Sequence, residues 1–171
     1  AFLEHADFAA LAAAKASGTL DEAICAERDR EVAVQLTPPE IAEKLDVRRI
    51  RRFAESDAFA RICAADTVLR ELAFITALPA SAVLAAQGSA APEGEAAKAS
   101  VLVQGIADIV LIFPDHLELL DYKTDRRKTE ADFLAAYRAQ LNLYALAIDK
   151  RFAPKKVTYK GICSLELGKL I

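Results

Sequence analysis

The sequence lacks several residue types that mark particular classes of protein. Its 171 residues include no Met, no Trp, only three cysteines and only two histidines. The cysteines, Cys25, Cys63 and Cys163, are odd in number and far apart. This excludes a disulfide framework and fits none of the spacings of zinc or iron–sulfur sites. We therefore expect reduced thiols, no iron–sulfur cluster and a cytoplasmic protein.

Long apolar runs and a secretory signal are also missing, so we expect no association with a membrane. The net charge of −3 gives no sign of nucleic-acid binding, so such contacts would need a local basic surface. Hydrophobic residues make up 54% of the chain, which excludes disorder. Because the sequence opens within a helical pattern and has no initial Met, we expect a fragment of a longer protein.

The pattern of helices and strands predicts a single domain over 1–171, with a helical region at 1–66 and a sheet-containing region at 67–171. One helix is expected to start at Thr37 as N-cap, with Pro38 in its first turn. Two of the strands are apolar on both faces, so helices should cover both sides of the sheet. Helices are predicted at 1–15, 20–29, 37–55, 56–64 and 130–150, strands at 67–78, 101–113, 117–123 and 155–165, and a flexible connection at 79–99.

Two acids lie within apolar strands on either side of the turn signal Pro114-Asp115. If the hairpin is symmetric about that turn, cross-strand partners have residue numbers that sum to 229, and Asp108 faces Asp121. Asp121 and Lys123 are two residues apart, so they share one face of the strand and Tyr122 lies on the other. A slip of one residue in the pairing would break this arrangement.

Two adjacent carboxylates on a buried sheet repel each other unless a proton or a cation relieves them. Mg²⁺, or Mn²⁺ as a substitute, suits Asp108 and Asp121 as ligands, with the backbone carbonyl of Tyr122 completing the shell. Such a metal can activate water against a phosphodiester, with Lys123 beside it as a point charge or proton relay. The alternative is that Asp121 is a strand-end residue and Lys123 a solvated charge. Asp108 fits that alternative less well, because it interrupts an apolar strand.

Gln140 and Tyr144 are four residues apart on a predicted helix and project from one face of it. If that face covers the acids, they could hold Lys123 or a phosphate, although a Tyr at helical spacing is more often core packing. A buried Gln amide needs hydrogen bonds, which favours the first interpretation. Further basic residues form either a local groove for DNA or a solvated loop, namely Arg126, Arg127, Lys128 and Arg138. Four more are interpreted as a solvated helix face in preference to a DNA contact: Arg48, Arg49, Arg51 and Arg52.

Together these residues form the motifs Gly105-x-x-Asp108, Asp121-Tyr122-Lys123-Thr124-Asp125 and Gln140-x-x-x-Tyr144. They resemble the RecB-type branch of the PD-(D/E)XK nucleases, and within it the C-terminal nuclease domains of AddA-type helicase–nuclease proteins. The resemblance implies an α/β, restriction-endonuclease-like core, in which helices flank a central mixed sheet that follows an N-terminal helical region. It also implies that Asp108 and Asp121 bind metal, that Lys123 is catalytic, and that Gln140 and Tyr144 support the site and DNA.

The resemblance further implies a Mg²⁺-dependent exonuclease that cuts single-stranded DNA delivered by a helicase during double-strand-break repair. ATP would be used only by the parent helicase. A bacterial cytoplasm and an AddB-like partner are expected as well. Arg70-Glu71 resembles a pair that opens the family's first core strand, without an assigned role.

One member of the family pattern is missing. A further metal-binding His, within Gly-Thr-x-x-His, does not occur in the sequence, and His5 falls on a different helix face. We therefore expect weak metal binding and slow cleavage. The rival interpretations are another RecB-like nuclease, of the restriction or CRISPR-associated kind, and an impaired DNA-binding or scaffolding module. Asp108, Asp121 and Lys123 are all present, which argues against the impaired module.

Overall fold

A computed structural model of the chain describes residues 2–90 and 94–171. None of the helices described there is both long and apolar enough to cross a bilayer. In chain order the elements are α1 (Phe2–His5), α2 (Phe8–Ser17), α3 (Leu20–Ala33), α4 (Pro39–Ala42), α5 (Val47–Glu55), α6 (Asp57–Ala64), β1 (Thr67–Pro79), α7 (Ala80–Ala86), a 3₁₀ helix (Gly94–Lys98), β2 (Ser100–Ile112), β3 (Leu117–Lys123), α8 (Glu130–Arg151), β4 (Val157–Ser164) and β5 (Lys169–Leu170).

The strands form one sheet in the order β1-β2-β3-β4-β5. Neighbours are antiparallel except β3 and β4, which run parallel and are connected through α8. The N-terminal helices cover one face through residues such as Ile109 and Leu120. The other face packs under α8 through residues such as Val110 and Leu119. The predicted mixed sheet with helices on both sides is therefore confirmed.

The side-chain alternation of β2 is interrupted at Asp108. Residues two apart in a regular strand share a face, yet Ala107 packs under α8 while Ile109 packs against the N-terminal helices. At the same step the β1–β2 ladder skips the pairing of Asp108 with Glu71. Glu71 has a φ of 48°, a left-handed value that is uncommon for residues other than Gly. Both strands are thus irregular where an acid interrupts them.

The prediction of one continuous helix over 1–15 is wrong, because the helical structure is interrupted before α2, of which Asp7 is the N-cap. The Asp7 carboxylate accepts a hydrogen bond from the Ala10 N–H at 3.0 Å and so caps α2. The Asp7 N–H itself donates to Oε1 of Glu27 at 2.8 Å. This second bond joins residues twenty positions apart, so a local pattern could not reveal it.

The predicted helix over 37–55 is also two helices, and Thr37 is not its N-cap. The Thr37 hydroxyl donates to the buried Glu31 carboxylate at 2.7 Å, and Pro38 takes the capping position of α4. The chain then leaves the helical path until Asp46, whose carboxylate caps α5 by accepting from the Arg48 N–H at 3.0 Å. The predicted helix over 56–64 is confirmed as α6, and Ser56 is its N-cap.

The segment 79–99 was predicted to be a flexible connection, and that prediction is wrong for much of it. The described part contains α7 and the 3₁₀ helix, while 91–93 lie outside the described residues. Alanine is the strongest helix former, and α7 has the sequence Ala-Ser-Ala-Val-Leu-Ala-Ala. The short β5, which pairs with the end of β4, was not predicted at all.

Two glutamates one helical turn apart on α3 have carboxyl pKa values that are shifted in opposite directions. Glu31 is fully buried, and its Oε1 has no hydrogen-bond partner among the described residues. Burial raises the pKa of the Glu31 carboxyl, with the Thr37 hydroxyl as a smaller opposing influence. Glu27 is bound by the Arg30 guanidinium, which lowers the pKa of the Glu27 carboxyl.

We expect Glu31→Gln to stabilise the protein at neutral pH. Because the folded state raises the pKa of Glu31, stability is lost as the pH rises from the ordinary glutamate pKa through the raised value. The Gln variant escapes that loss, so its free energy of unfolding should exceed that of wild type at pH 7 and converge with it at pH 4. Urea unfolding across this range measures the difference.

Glu27→Gln is the matched control, with the opposite sign. The lowered pKa of Glu27 means that its contribution is present above the ordinary pKa and is lost as the pH falls. This variant should therefore be less stable than wild type at pH 7, with the gap closing in acid. Parallel pH profiles for the two variants would contradict the assignment of these shifts.

Candidate active site

The hairpin of β2 and β3 has the predicted register. Its four backbone pairs, from Ile109 with Leu120 to Ile112 with Leu117, all have residue numbers that sum to 229. The ladder ends one step short of the two acids. There, Oδ2 of Asp108 accepts a hydrogen bond from the Tyr122 backbone N–H at 2.7 Å. The Asp108 side chain thus takes the place of a backbone acceptor.

Asp121 and Lys123 form a close ion pair beside this bond. Oδ2 of Asp121 lies 2.5 Å from Nζ of Lys123, and Asp121 is only 3% exposed. Burial raises the pKa of the Asp121 carboxyl, Lys123 lowers it, and the charge of Asp108 raises it again. Although the lysine is close, this oxygen has no well-aligned hydrogen-bond donor among the described residues. The site therefore holds more negative charge than its lysine compensates.

The two faces of β3 are used as predicted. Lys123 projects toward α8, while Tyr122 lies on the opposite face with its ring 5.5 Å from that of Phe53. On the Tyr122 side, a cavity of about 410 Å³ lies between the strands, α1 and α5, and Asp108 lines it. Larger cavities exist elsewhere in the described structure, but neither of them is lined by Asp108. Asp121 and Lys123 are not among the residues that line the cavity at Asp108.

Glu71 is a further acid in this cavity, and no role was predicted for it from the sequence. Burial raises the pKa of the Glu71 carboxyl, and the charges of Asp108 and Glu4 raise it further. The available signal was the same as for Asp108, a carboxylate that interrupts an apolar strand. The irregular backbone that turns Glu71 toward the cavity was not visible in the sequence.

The helix α8 contacts the lysine through Tyr137. Nζ of Lys123 lies 4.6 Å from the centre of the Tyr137 ring, within the range of a cation–π contact. The Tyr137 hydroxyl donates to Asp125 at 2.9 Å and accepts from Nζ of Lys128 at 3.1 Å. Tyr137 is thereby fixed in orientation over Lys123. From the sequence, this contact had been expected of other residues on the helix.

Gln140 and Tyr144 lie further along α8. The Tyr144 ring packs edge-on to Phe74 at 4.9 Å and lies over Gly105. Gln140 is half-buried and makes no side-chain hydrogen bond in the described part of the chain. Tyr144 is two helical turns beyond Tyr137, so the contact with Lys123 belongs to Tyr137. A supporting role for the other two toward DNA stays a prediction.

The basic residues named from the sequence do not form one groove. Arg126 and Arg127 are exposed in the loop that follows β3. Arg138 is exposed on another side of α8, where it borders a cavity of about 540 Å³ next to α7. Of these three arginines, Arg126 and Arg127 follow Asp121 most closely in the sequence.

The oxygen donors at the end of the hairpin fit a hard divalent cation. They comprise two electrostatically coupled carboxylates, one of them with a buried and poorly satisfied oxygen. Mg²⁺ commonly binds through one or two carboxylates and keeps several waters. Within 2–90 and 94–171, no cluster of three His, Cys, Asp or Glu side chains has metal-binding geometry. Water or substrate oxygens would therefore supply the remaining ligands.

Comparison with known proteins supports a nuclease fold. The PD-(D/E)XK nuclease superfamily matches residues 3–168. The A subunit of the ATP-dependent helicase/nuclease from Ligilactobacillus salivarius is 32% identical over 158 residues, which cover 89% of this chain and 12% of that protein. Its counterpart from Heliobacterium modesticaldum is 34% identical over 170 residues, covering 95% of this chain and 11% of that protein. The chain thus spans about a tenth of the length of these relatives.

We expect Gly105→Ala to destabilise the protein by about 1–3 kcal/mol through overpacking. A Cβ atom on Gly105 would lie 2.8 Å from the Tyr144 ring and 2.9 Å from the Phe74 ring. Gln104→Ala, at the exposed neighbouring position, is the matched control and should change stability by less than about 0.5 kcal/mol. Denaturant unfolding measures both variants.

A double-mutant cycle tests the cause of this effect. Tyr144→Leu removes most of the ring that the new Cβ would meet, so Gly105→Ala should cost less in that background. The same cost in both backgrounds would show that close packing of Tyr144 is not the reason for the glycine.

Proposed function

The chain belongs to the PD-(D/E)XK nuclease superfamily, and on this premise we propose that it hydrolyses phosphodiester bonds of single-stranded DNA with the help of a divalent metal. The observation that carries the proposal is the bond between Asp108 and the Tyr122 N–H. It ties one acid to the backbone segment that bears Asp121 and Lys123. The three side chains are thereby held as a unit at one end of a buried hairpin.

Asp108 and Asp121, with the backbone carbonyl of Tyr122, would hold Mg²⁺ or Mn²⁺. When bound, the metal lowers the pKa of a coordinated water and stabilises charge on the cleaved phosphate. Lys123 places its positive charge beside the attacking water or the phosphate, where a compact ammonium is effective. Tyr137 positions Lys123, because its ring lies against the ammonium while Asp125 and Lys128 fix its hydroxyl.

The similar proteins belong to helicase/nuclease complexes, which supports a wider proposal about the parent protein. The chain would be a single nuclease domain over 1–171, with 1–66 as its helical region, attached to a helicase that uses ATP and delivers single-stranded DNA. An AddB-like partner, a bacterial cytoplasmic location and the processing of double-strand-break ends for recombination belong to the same proposal. Gln140, Tyr144, Arg126 and Arg138 would support the site or contact DNA.

Cleavage of an end-labelled single-stranded oligonucleotide by the 171-residue protein tests the proposal. We expect cleavage in Mg²⁺ or Mn²⁺ and none in EDTA. Asp121→Asn should slow it by about 100-fold or more, because it removes a charged ligand. A second readout is the thermal unfolding midpoint, which Mn²⁺ should raise in wild type but not in Asp121→Asn.

Asp115→Asn is the matched control. It removes one carboxylate from the opposite end of the same hairpin, where the side chain is 85% exposed. This variant should cut DNA and respond to Mn²⁺ as wild type does. The mechanism is wrong if Asp121→Asn cuts as fast as Asp115→Asn, or if wild type shows neither cleavage nor a response to metal.

A further inference from the structure

The helix α5 carries four arginines, two of which are already neutralised. Arg49 and Arg51 each contact a carboxylate outside the helix. Arg48 and Arg52 are exposed, and no carboxylate of the described residues lies within ion-pair distance of either. Residues four apart on a helix share a face. Arg48 and Arg52 therefore form one uncompensated basic stripe.

This helix is attached to the candidate active site through the turn at 165–168. Nη2 of Arg49 lies 2.6 Å from the Glu166 carboxylate on that turn. The N–H of Leu165 donates to the backbone carbonyl of Lys123 at 3.0 Å. Two consecutive contacts thus link α5 to the strand that bears the catalytic lysine.

The buried side of α5 borders the site directly. Ile50 lines the same cavity as Asp108. On the outer side, the aliphatic stem of Arg52 packs against Gly168. A Cβ atom added to Gly168 would lie 3.1 Å from the Cβ atom of Arg52. The helix is therefore part of the wall of the cavity, and its basic stripe lies on the outside of that wall.

Three carboxylates around the end of β3 are each paired with a cation. Glu166, Glu130 and Asp125 are paired with Arg49, Lys169 and Lys128 respectively. Glu55, at the end of α5, acts on Arg51 and raises the pKa of that guanidinium, after the larger influence of Asp21. Within the described residues, Arg48 and Arg52 keep their charge free, as do Arg126 and Arg127 in the loop that follows Lys123.

We propose that Arg48 and Arg52 bind the backbone phosphates of a single-stranded polynucleotide along the outer side of the wall of the active-site cavity. Their Cβ atoms are roughly 6 Å apart, and their guanidinium groups are suited to bidentate contact with phosphate. The stripe supplies locally the attraction that a net charge of −3 does not. This inference rests on the proposed function, because it takes the substrate to be a polynucleotide.

Binding of a labelled single-stranded oligonucleotide in EDTA tests the stripe without cleavage. The Arg48→Gln/Arg52→Gln variant keeps the first two methylenes of each side chain but loses both charges. Each phosphate contact on a single strand contributes about 0.7 to the slope of log K against log salt, so the slope should fall by about 1.4. The double Arg→Lys variant should keep the slope, and thermal unfolding midpoints verify that each variant is folded.

Arg51→Gln is the matched control, since it removes the same charge from the same helix but from an arginine held by Asp21. It should leave the salt slope unchanged, whereas Arg48→Gln alone should lower it by about 0.7. Equal effects of Arg51→Gln and Arg48→Gln would overturn the proposal, as would an unchanged slope in the double variant or no binding by wild type. A protein that cuts DNA with an unchanged slope refutes only the stripe. One that binds through the stripe but does not cut refutes only the nuclease activity.

Discussion

The structure of the site depends on a carboxylate placed inside a sheet. A charge at the position of Asp108 is costly unless it is bound, and the Tyr122 N–H supplies the bond. That donor is free because the β2–β3 ladder stops one pair earlier. On the other side of β2, the ladder with β1 skips the Asp108–Glu71 step. The interruption of the sheet and the formation of the site are thus one feature, since a regular sheet would leave Asp108 without a partner.

The same constraint explains why Asp121 is kept in a costly environment. Burial raises its pKa, and its ion pair with Lys123 leaves one oxygen without an aligned donor. A neutral side chain of this size would fold at lower cost, so packing alone does not account for the acid. Unfavourable local choices that a fold nevertheless retains are expected at functional sites. Tyr137 adds to this picture, because it packs against the core and also contacts the lysine that pairs with the acid.

Sequence reasoning succeeded where a short period controls the structure. Alternation along β2 and β3 and the turn between them were enough to predict the register, and hence the common face of Asp121 and Lys123. It failed where polar contacts between distant residues determine the local structure. The interruption of the first helix at Asp7 involves a bond to Glu27, and Thr37 does not cap a helix because its hydroxyl binds Glu31. Helical periodicity likewise could not show which turn of α8 reaches the lysine. That depends on how far the helix is displaced along the sheet.

A chain with a net negative charge can still present a basic surface where the carboxylates of that surface are paired with Lys or Arg. Around the end of β3, each of Glu166, Glu130 and Asp125 is held by a Lys or Arg. These exposed pairs contribute little to stability, but they cancel negative charge close to the site. The charges of the arginines that remain unpaired reach about one Debye length, roughly 8–10 Å at moderate salt. The N-terminal helices consequently do more than cover the sheet: in the proposed complex, the placement of α5 would determine which charges a strand meets as it approaches Asp108.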